Sequence, residues 1–229
     1  IGELISELNV GHAYTGGGDV EGGPSRNVGL LGVDFELDSG AYRIAKIYEG
    51  AEWDSDARGP LSQPGVDVAE GDYLLAVDGQ ALDAARDPWA AFLGLGGKVV
   101  TLTVSAKPTL DDDAREVVVP TMRSEGGLRY RHWVDAKRRY VEEKSGGRVG
   151  YIYVPDTGVR GQNELVRQFH AQSSMDALIL DDRWNGGGQI PTRFIELLNR
   201  PLVNYWGRRD GRDWTWPYDS HFGPKCMLI

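Results

Sequence analysis

The chain has 229 residues, 41% of them hydrophobic and 26% charged, enough for one large or two small domains with a sizeable core. Its formal net charge of −9 excludes nucleic acid as an expected partner, because phosphate binding needs a basic footprint. The single cysteine, Cys226, excludes an intrachain disulfide or a cysteine zinc site and fits a reducing cytoplasm, and no apolar run is long enough to span a bilayer.

In chain order, Ile1 to Tyr14 is a short mixed segment, and Thr15 to Pro24 is a linker of Gly, Asp, Glu and Pro. A β-rich stretch follows from about Asn27 to Lys107. Leu30 to Leu37 and Tyr42 to Tyr48 read as strands around the turn signal Asp38-Ser39-Gly40. Asp72 to Val77 is a third strand, closed by Asp78-Gly79, and Val99 to Val104 a fourth. Between them Pro88 suits the first turn of a helix over Trp89 to Leu93. The pattern changes after the acidic turn Pro108 to Asp113. Tyr130, Trp133, Val134, Lys137 and Val141 have helical spacing. Strand Val149 to Val154, helix Gln162 to Gln172, strand Ala177 to Leu180 and helix Pro191 to Asn199 then predict a βαβ unit on a parallel sheet. The expected fold class is mixed α+β, with a β-rich module inserted before an α/β subdomain. Both ends, Ile1 to Leu4 and the strand Lys225 to Ile229, read as cuts through a longer protein.

Three stretches could carry chemistry. The buried strand Ala177 to Leu180 runs through Asp181-Asp182-Arg183-Trp184-Asn185 into Gly186-Gly187-Gly188 and then a helix. Such a loop can turn backbone N–H groups inward at a helix start and hold an anion, a phosphate or a transition-state oxyanion. It equally suits a tight βα turn whose glycines only relieve crowding. No Gly-Lys-Ser/Thr and no G-x-G-x-x-G is present, which weakens the phosphate reading. His12, in Gly11-His12-Ala13-Tyr14, has the chemistry of a general base and also the setting of a surface residue beside a linker. His132 and His170 fall in helical patterns and read as structural, and His221 lies in a loop next to Ser220. The four histidines show no metal-ligand spacing, so neither metal nor other cofactor is expected. Third, Gly29-Leu30-Leu31-Gly32-Val33 enters a strand and can offer N–H groups to a peptide's terminal carboxylate, while an exposed strand edge pairs with the rest of the peptide.

That loop, together with Glu70-Gly71-Asp72-Tyr73-Leu74-Leu75-Ala76-Val77-Asp78-Gly79 at a domain-sized separation, resembles a PDZ domain. The order of Glu7 to Tyr14, a Gly-rich linker, the PDZ-like module and Asp182 to Gly188 resembles the tricorn-protease family. More broadly it is similar to the tail-specific, C-terminal-processing serine peptidases. The resemblance implies three parts: residues 1–26 as the end of a first catalytic subdomain plus linker, 27–107 as the PDZ-like domain, and 108–229 as the first half of a second, α/β catalytic subdomain. It implies His12 as general base and Gly187 as an oxyanion donor, with Gly186 and Gly188 as alternatives in the three-glycine run. It implies peptide binding at Gly29, Leu30, Leu31, Gly32 and Val33, with the helix around Pro88 as the other groove wall. The nucleophilic serine and the remaining catalytic groups should follow Ile229. The family's serine before the catalytic histidine is here Gly11. Peptides, including C-terminal carboxylates, are the expected partners, and assembly into homo-oligomers is the family habit. The alternative expectation is a PDZ scaffold that binds peptide without catalysis. Ser174 and Ser220 have no nucleophile-elbow context that would replace the missing serine.

Overall fold

A computed structural model of the chain describes residues 1–19, 22–23, 26–50 and 58–229; the expected linker Thr15 to Pro24 lies partly outside them. Residues 1–19 contain one short helix, α1 (Gly2–Ser6), with no buried residue.

Alternation of apolar and polar residues makes Val33–Asp38 (β1) a half-buried strand; Ala41–Ile47 (β2) pairs with it, and the wholly apolar Tyr73–Val77 (β3) pairs with β2 as a more buried one. The β1–β2 turn is the expected Ser39-Gly40 pair, at φ 50° and 79°, which matches a two-residue hairpin. Gln80–Ala81 (β4) folds back on β3 through Asp78-Gly79, and Val99–Ser105 (β5) pairs with β3 on the other side. The sheet does not stop at Lys107. Arg115–Pro120 (β6) runs antiparallel along the whole of β5, giving the order β1-β2-β3-β5-β6 with β4 beside β3. The polar run before it hid this strand, because Glu116 and Val118 face solvent while Val117 and Val119 are buried. Leu31, Val33, Ile44, Leu74, Phe92, Leu102, Val104 and Val119 form the core. Pro88–Phe92, expected as a groove-wall helix, is a short 3-10 turn that points Phe92 into this core.

The second unit has three layers. Val149–Tyr153 (β7), Ala177–Asp181 (β8) and Lys225–Leu228 (β11) form a parallel sheet in the order β11-β8-β7. Because successive side chains alternate faces, Ile152, Leu178 and Leu180 meet Leu165, Phe169, Phe194 and Leu197 from Val159–Gln172 (α3) and Pro191–Leu198 (α4). Tyr151, Tyr153 and Ile179 face the other way, onto Tyr130, Trp133, Val134 and Val141 of Gly126–Lys144 (α2). Between α4 and β11 lies a hairpin, Asn204–Trp206 (β9) and Trp214–Trp216 (β10), whose aromatic rings are largely exposed.

Helix α2 joins the two units. Its first turns touch the antiparallel sheet: Arg129 bonds the Val33 carbonyl (3.0 Å) and Asp34 (2.7 Å), and Tyr48 meets His132 edge-on at 5.0 Å. Its later turns cover β7. Among the described residues, no helix is long and apolar enough to cross a membrane.

Candidate functional site

The glycine loop sits at the C-terminal end of the central parallel strand, where open α/β sheets place their ligand crevices. Asp181 ends that strand with a fully buried side chain. It accepts hydrogen bonds from the Tyr151 hydroxyl (2.7 Å) and from Arg183 through Nε (2.9 Å) and Nη2 (2.7 Å). Burial pushes its pKa up, but the bonds from Arg183 and Tyr151 outweigh this and hold the carboxyl below its usual range. The chain therefore leaves the sheet from a fixed, charged anchor.

Asn185 braces the loop itself. Its Nδ2 donates to the Val154 carbonyl (3.1 Å) and to Asp182 (2.7 Å), while its Oδ1 accepts the Gly187 N–H (2.7 Å). The Gly186 N–H donates to the Pro155 carbonyl (3.0 Å), and the Gly187 carbonyl accepts the Thr157 N–H (2.9 Å). Gly188, at φ 151°, lies so close to the 157–158 peptide that a Cβ there would be 2.3 Å from the Thr157 carbonyl carbon. Only glycine fits. Of the three glycines, Gly188 alone keeps an N–H with no acceptor among the described residues. Trp184 adopts a left-handed φ of 61° and is 74% exposed, with its ring edge-on to Trp133 and under Arg183.

The structure does not bring His12 to this loop. His12 is exposed, its Nδ1 lies 3.4 Å from the Tyr14 hydroxyl, and among the described residues the hydrogen bonds of residues 1–19 stay within that segment. The Gly29–Val33 loop is bonded to the rest of its own unit. The Gly29 N–H donates to Phe92, Leu30 exchanges two bonds with Met122 (2.9 and 2.8 Å), and the Gly32 N–H donates to Glu125 (3.0 Å). Leu31 and Val33 are core side chains. Sequence reasoning gave no role to Asn185, Asp181 or Glu125. An Asn two residues before a loop glycine is the usual signal of an Asx turn, whereas Glu125 carries no local signal at all. No group of three or more His, Cys, Asp and Glu among the described residues is placed to hold a metal ion.

The fold is therefore that of a PDZ-type module followed by a parallel-sheet unit with a glycine loop at its strand ends. Residues 29–124 match the family described as the tricorn protease PDZ domain. Over its length the chain is 39% identical to tricorn protease homolog 1 of Streptomyces coelicolor, covering 99% of this chain and 21% of that protein. It is 30% identical to the tricorn protease of Thermoplasma volcanium, covering 100% of this chain and 22% of the relative. The crystal structure of the tricorn protease superposes with a TM-score of 0.80 at 32% identity, covering 88% of this chain and 19% of that one. The chain is similar to tricorn proteases over nearly its whole length, matches their PDZ domain over residues 29–124, and spans about a fifth of the length of the curated relatives it matches.

Proposed function

We propose that the chain is the PDZ-bearing part of a serine peptidase that cleaves short peptides through an acyl-enzyme. One observation carries this reading. Strand β11 runs parallel to β8 and ends level with it, Leu228 opposite Asp181 and the Asp182 N–H bonded to the Leu228 carbonyl at 2.9 Å. A serine just after Ile229 would thus emerge at the strand ends that carry Gly186–Gly188. His12 then acts as general base, taking the serine proton as the hydroxyl attacks the scissile carbonyl. The backbone at Gly187 or Gly188 holds the developing oxyanion. The Gly188 N–H is open already, and the Gly187 N–H opens when the Asn185 amide turns away. Gly29–Val33 and the edge strand β1 take the peptide. The three parts proposed are residues 1–26, the PDZ-type module and the α/β unit. Assembly into homo-oligomers in a reducing cytoplasm belongs to the same reading.

The approach of His12 to the loop requires chain outside these 229 residues, so the test belongs in the full-length protein. His12→Ala should nearly abolish peptide turnover while peptide binding persists. Retained turnover would remove His12 from the mechanism. A fluorophosphonate probe should label the full-length protein and leave the 229-residue chain unlabelled. Labelling of the latter would show that the nucleophile lies within it. The second reading, a scaffold without catalysis, draws on the loop hydrogen bonds that already engage Gly186 and Gly187; an unlabelled full-length protein would favour it.

A further inference from the structure

The PDZ-type loop already holds a carboxylate, and it belongs to the chain itself. Glu125 precedes helix α2, and its side chain is largely buried. One oxygen, Oε2, accepts the Gly32 N–H at 3.0 Å, and the other, Oε1, accepts Arg129 Nε at 2.6 Å. A backbone amide on one oxygen and a guanidinium on the other is the pairing that recognises a free C-terminal carboxylate. Arg129 is itself locked: Nη1 lies 2.7 Å from Asp34, Nη2 donates to the Val33 carbonyl at 3.0 Å, and its plane sits over the Tyr48 ring at 4.2 Å. The Val33 carbonyl begins β1, the outermost strand on its side of the sheet. The Met122–Leu30 bridge occupies the loop on the other side. Both groups that a peptide end would use, the loop amide and the start of the edge strand, are thus taken by residues 122–129.

We propose that Glu125 is a built-in surrogate ligand that keeps the Gly29–Val33 loop closed to peptide carboxylates until the start of α2 moves away. This rests on peptide binding at Gly29–Val33 and specifies what controls it. An arriving carboxylate must displace Glu125 from Gly32 and Arg129. That displacement frees the first turn of the helix whose later turns cover β7. Occupancy of the loop and the seating of α2 on the parallel sheet are then linked through one residue, each favouring or opposing the other by the same factor.

Fluorescence anisotropy with fluorescein-labelled decapeptides ending in a free apolar residue tests this, with the C-terminal amides as controls. The unmodified chain should bind them weakly. Glu125→Ala should bind at least tenfold more tightly, amidation should remove that gain, and Glu125→Gln should fall between. Unchanged tight binding by both the unmodified chain and Glu125→Ala would leave the peptide site standing and overturn the role of Glu125. Absence of binding in Glu125→Ala, shown to be folded by its circular dichroism, would overturn both.

Discussion

At the scale of single residues, the glycine loop distinguishes positions that the sequence presents as equivalent. Gly186, Gly187 and Gly188 are consecutive, yet a Cβ at Gly187 meets nothing within 4 Å, whereas one at Gly188 would collide with the Thr157–Gly158 peptide. Both have positive φ, 78° and 151°. Gly187→Ala should therefore destabilise by about 1–2 kcal/mol, the strain of a left-handed alanine. Gly188→Ala should destabilise by more, because backbone must move as well. Urea unfolding of the two variants checks the order, and equal effects would show that the loop yields freely at Gly188. Asn185 makes the complementary point. Its side chain ties the loop to Val154, to Asp182 and to Gly187 at once, so the residue before the glycines fixes which N–H remains open.

At the scale of elements, the strand that leads out of the sheet is held by a polar knot. Asp219 accepts from His170 Nε2 at 2.9 Å and from Arg200, and the Lys225 ammonium donates to the His221 carbonyl at 2.8 Å. His221 is 5% exposed; its Nδ1 lies 3.1 Å from the Ser173 carbonyl, and its Nε2 is buried with no partner among the described residues. Burial lowers its pKa below the ordinary value of about 6.5; the Ser173 carbonyl opposes the shift, and the Lys225 charge reinforces it. The unfolded chain then binds the proton more readily than the folded one. The stability due to a neutral His221 is present above about pH 6.5 and is lost as pH falls toward its folded pKa. Melting temperatures between pH 7.5 and 5 should decline in the unmodified chain and decline less in His221→Asn, which keeps a donor for Ser173. Identical slopes would place the sensitivity elsewhere. Asp219 titrates lower. Burial raises its pKa, but the bonds from Arg200 and His170 bring it below the usual carboxylate range, so its contribution is lost only at more acid pH.

At the scale of the whole molecule, helix α2 touches both the antiparallel and the parallel sheet through side chains. Leu128 lies against Gly32, where a Cβ would come within 2.5 Å of its methyl group, while Trp133 and Val134 lie on the far sheet. Arg129 concentrates the near half of this contact in Val33, Asp34 and the Tyr48 ring. Arg129→Ala should therefore separate the unfolding of the antiparallel and parallel units in a calorimetric scan more widely than in the unmodified chain. A scan that keeps the same spacing would mean that the contacts of Leu128, His132 and Glu125 carry the coupling without Arg129.

What the sequence by itself determined about this protein is what local periodicity and order carry. Alternation in Val99 to Val104, the helical spacing from Tyr130 to Val141 and the run from Ala177 to Leu180 into three glycines placed most of the core elements and the class of fold. The order of motifs pointed to the family whose PDZ domain residues 29–124 match. Only the tertiary structure decided the rest, because it depends on contacts between residues far apart in the chain. Arg115–Pro120 has no distinctive pattern of its own, and β5 makes it a strand. Glu125 reaches Gly32 across ninety-three positions, which no window along the sequence can span. Gly188 differs from Gly187 only because the Thr157 backbone passes beside it. His12, a base only by the family resemblance, stays exposed in these 229 residues, since a partner at catalytic distance is a tertiary property.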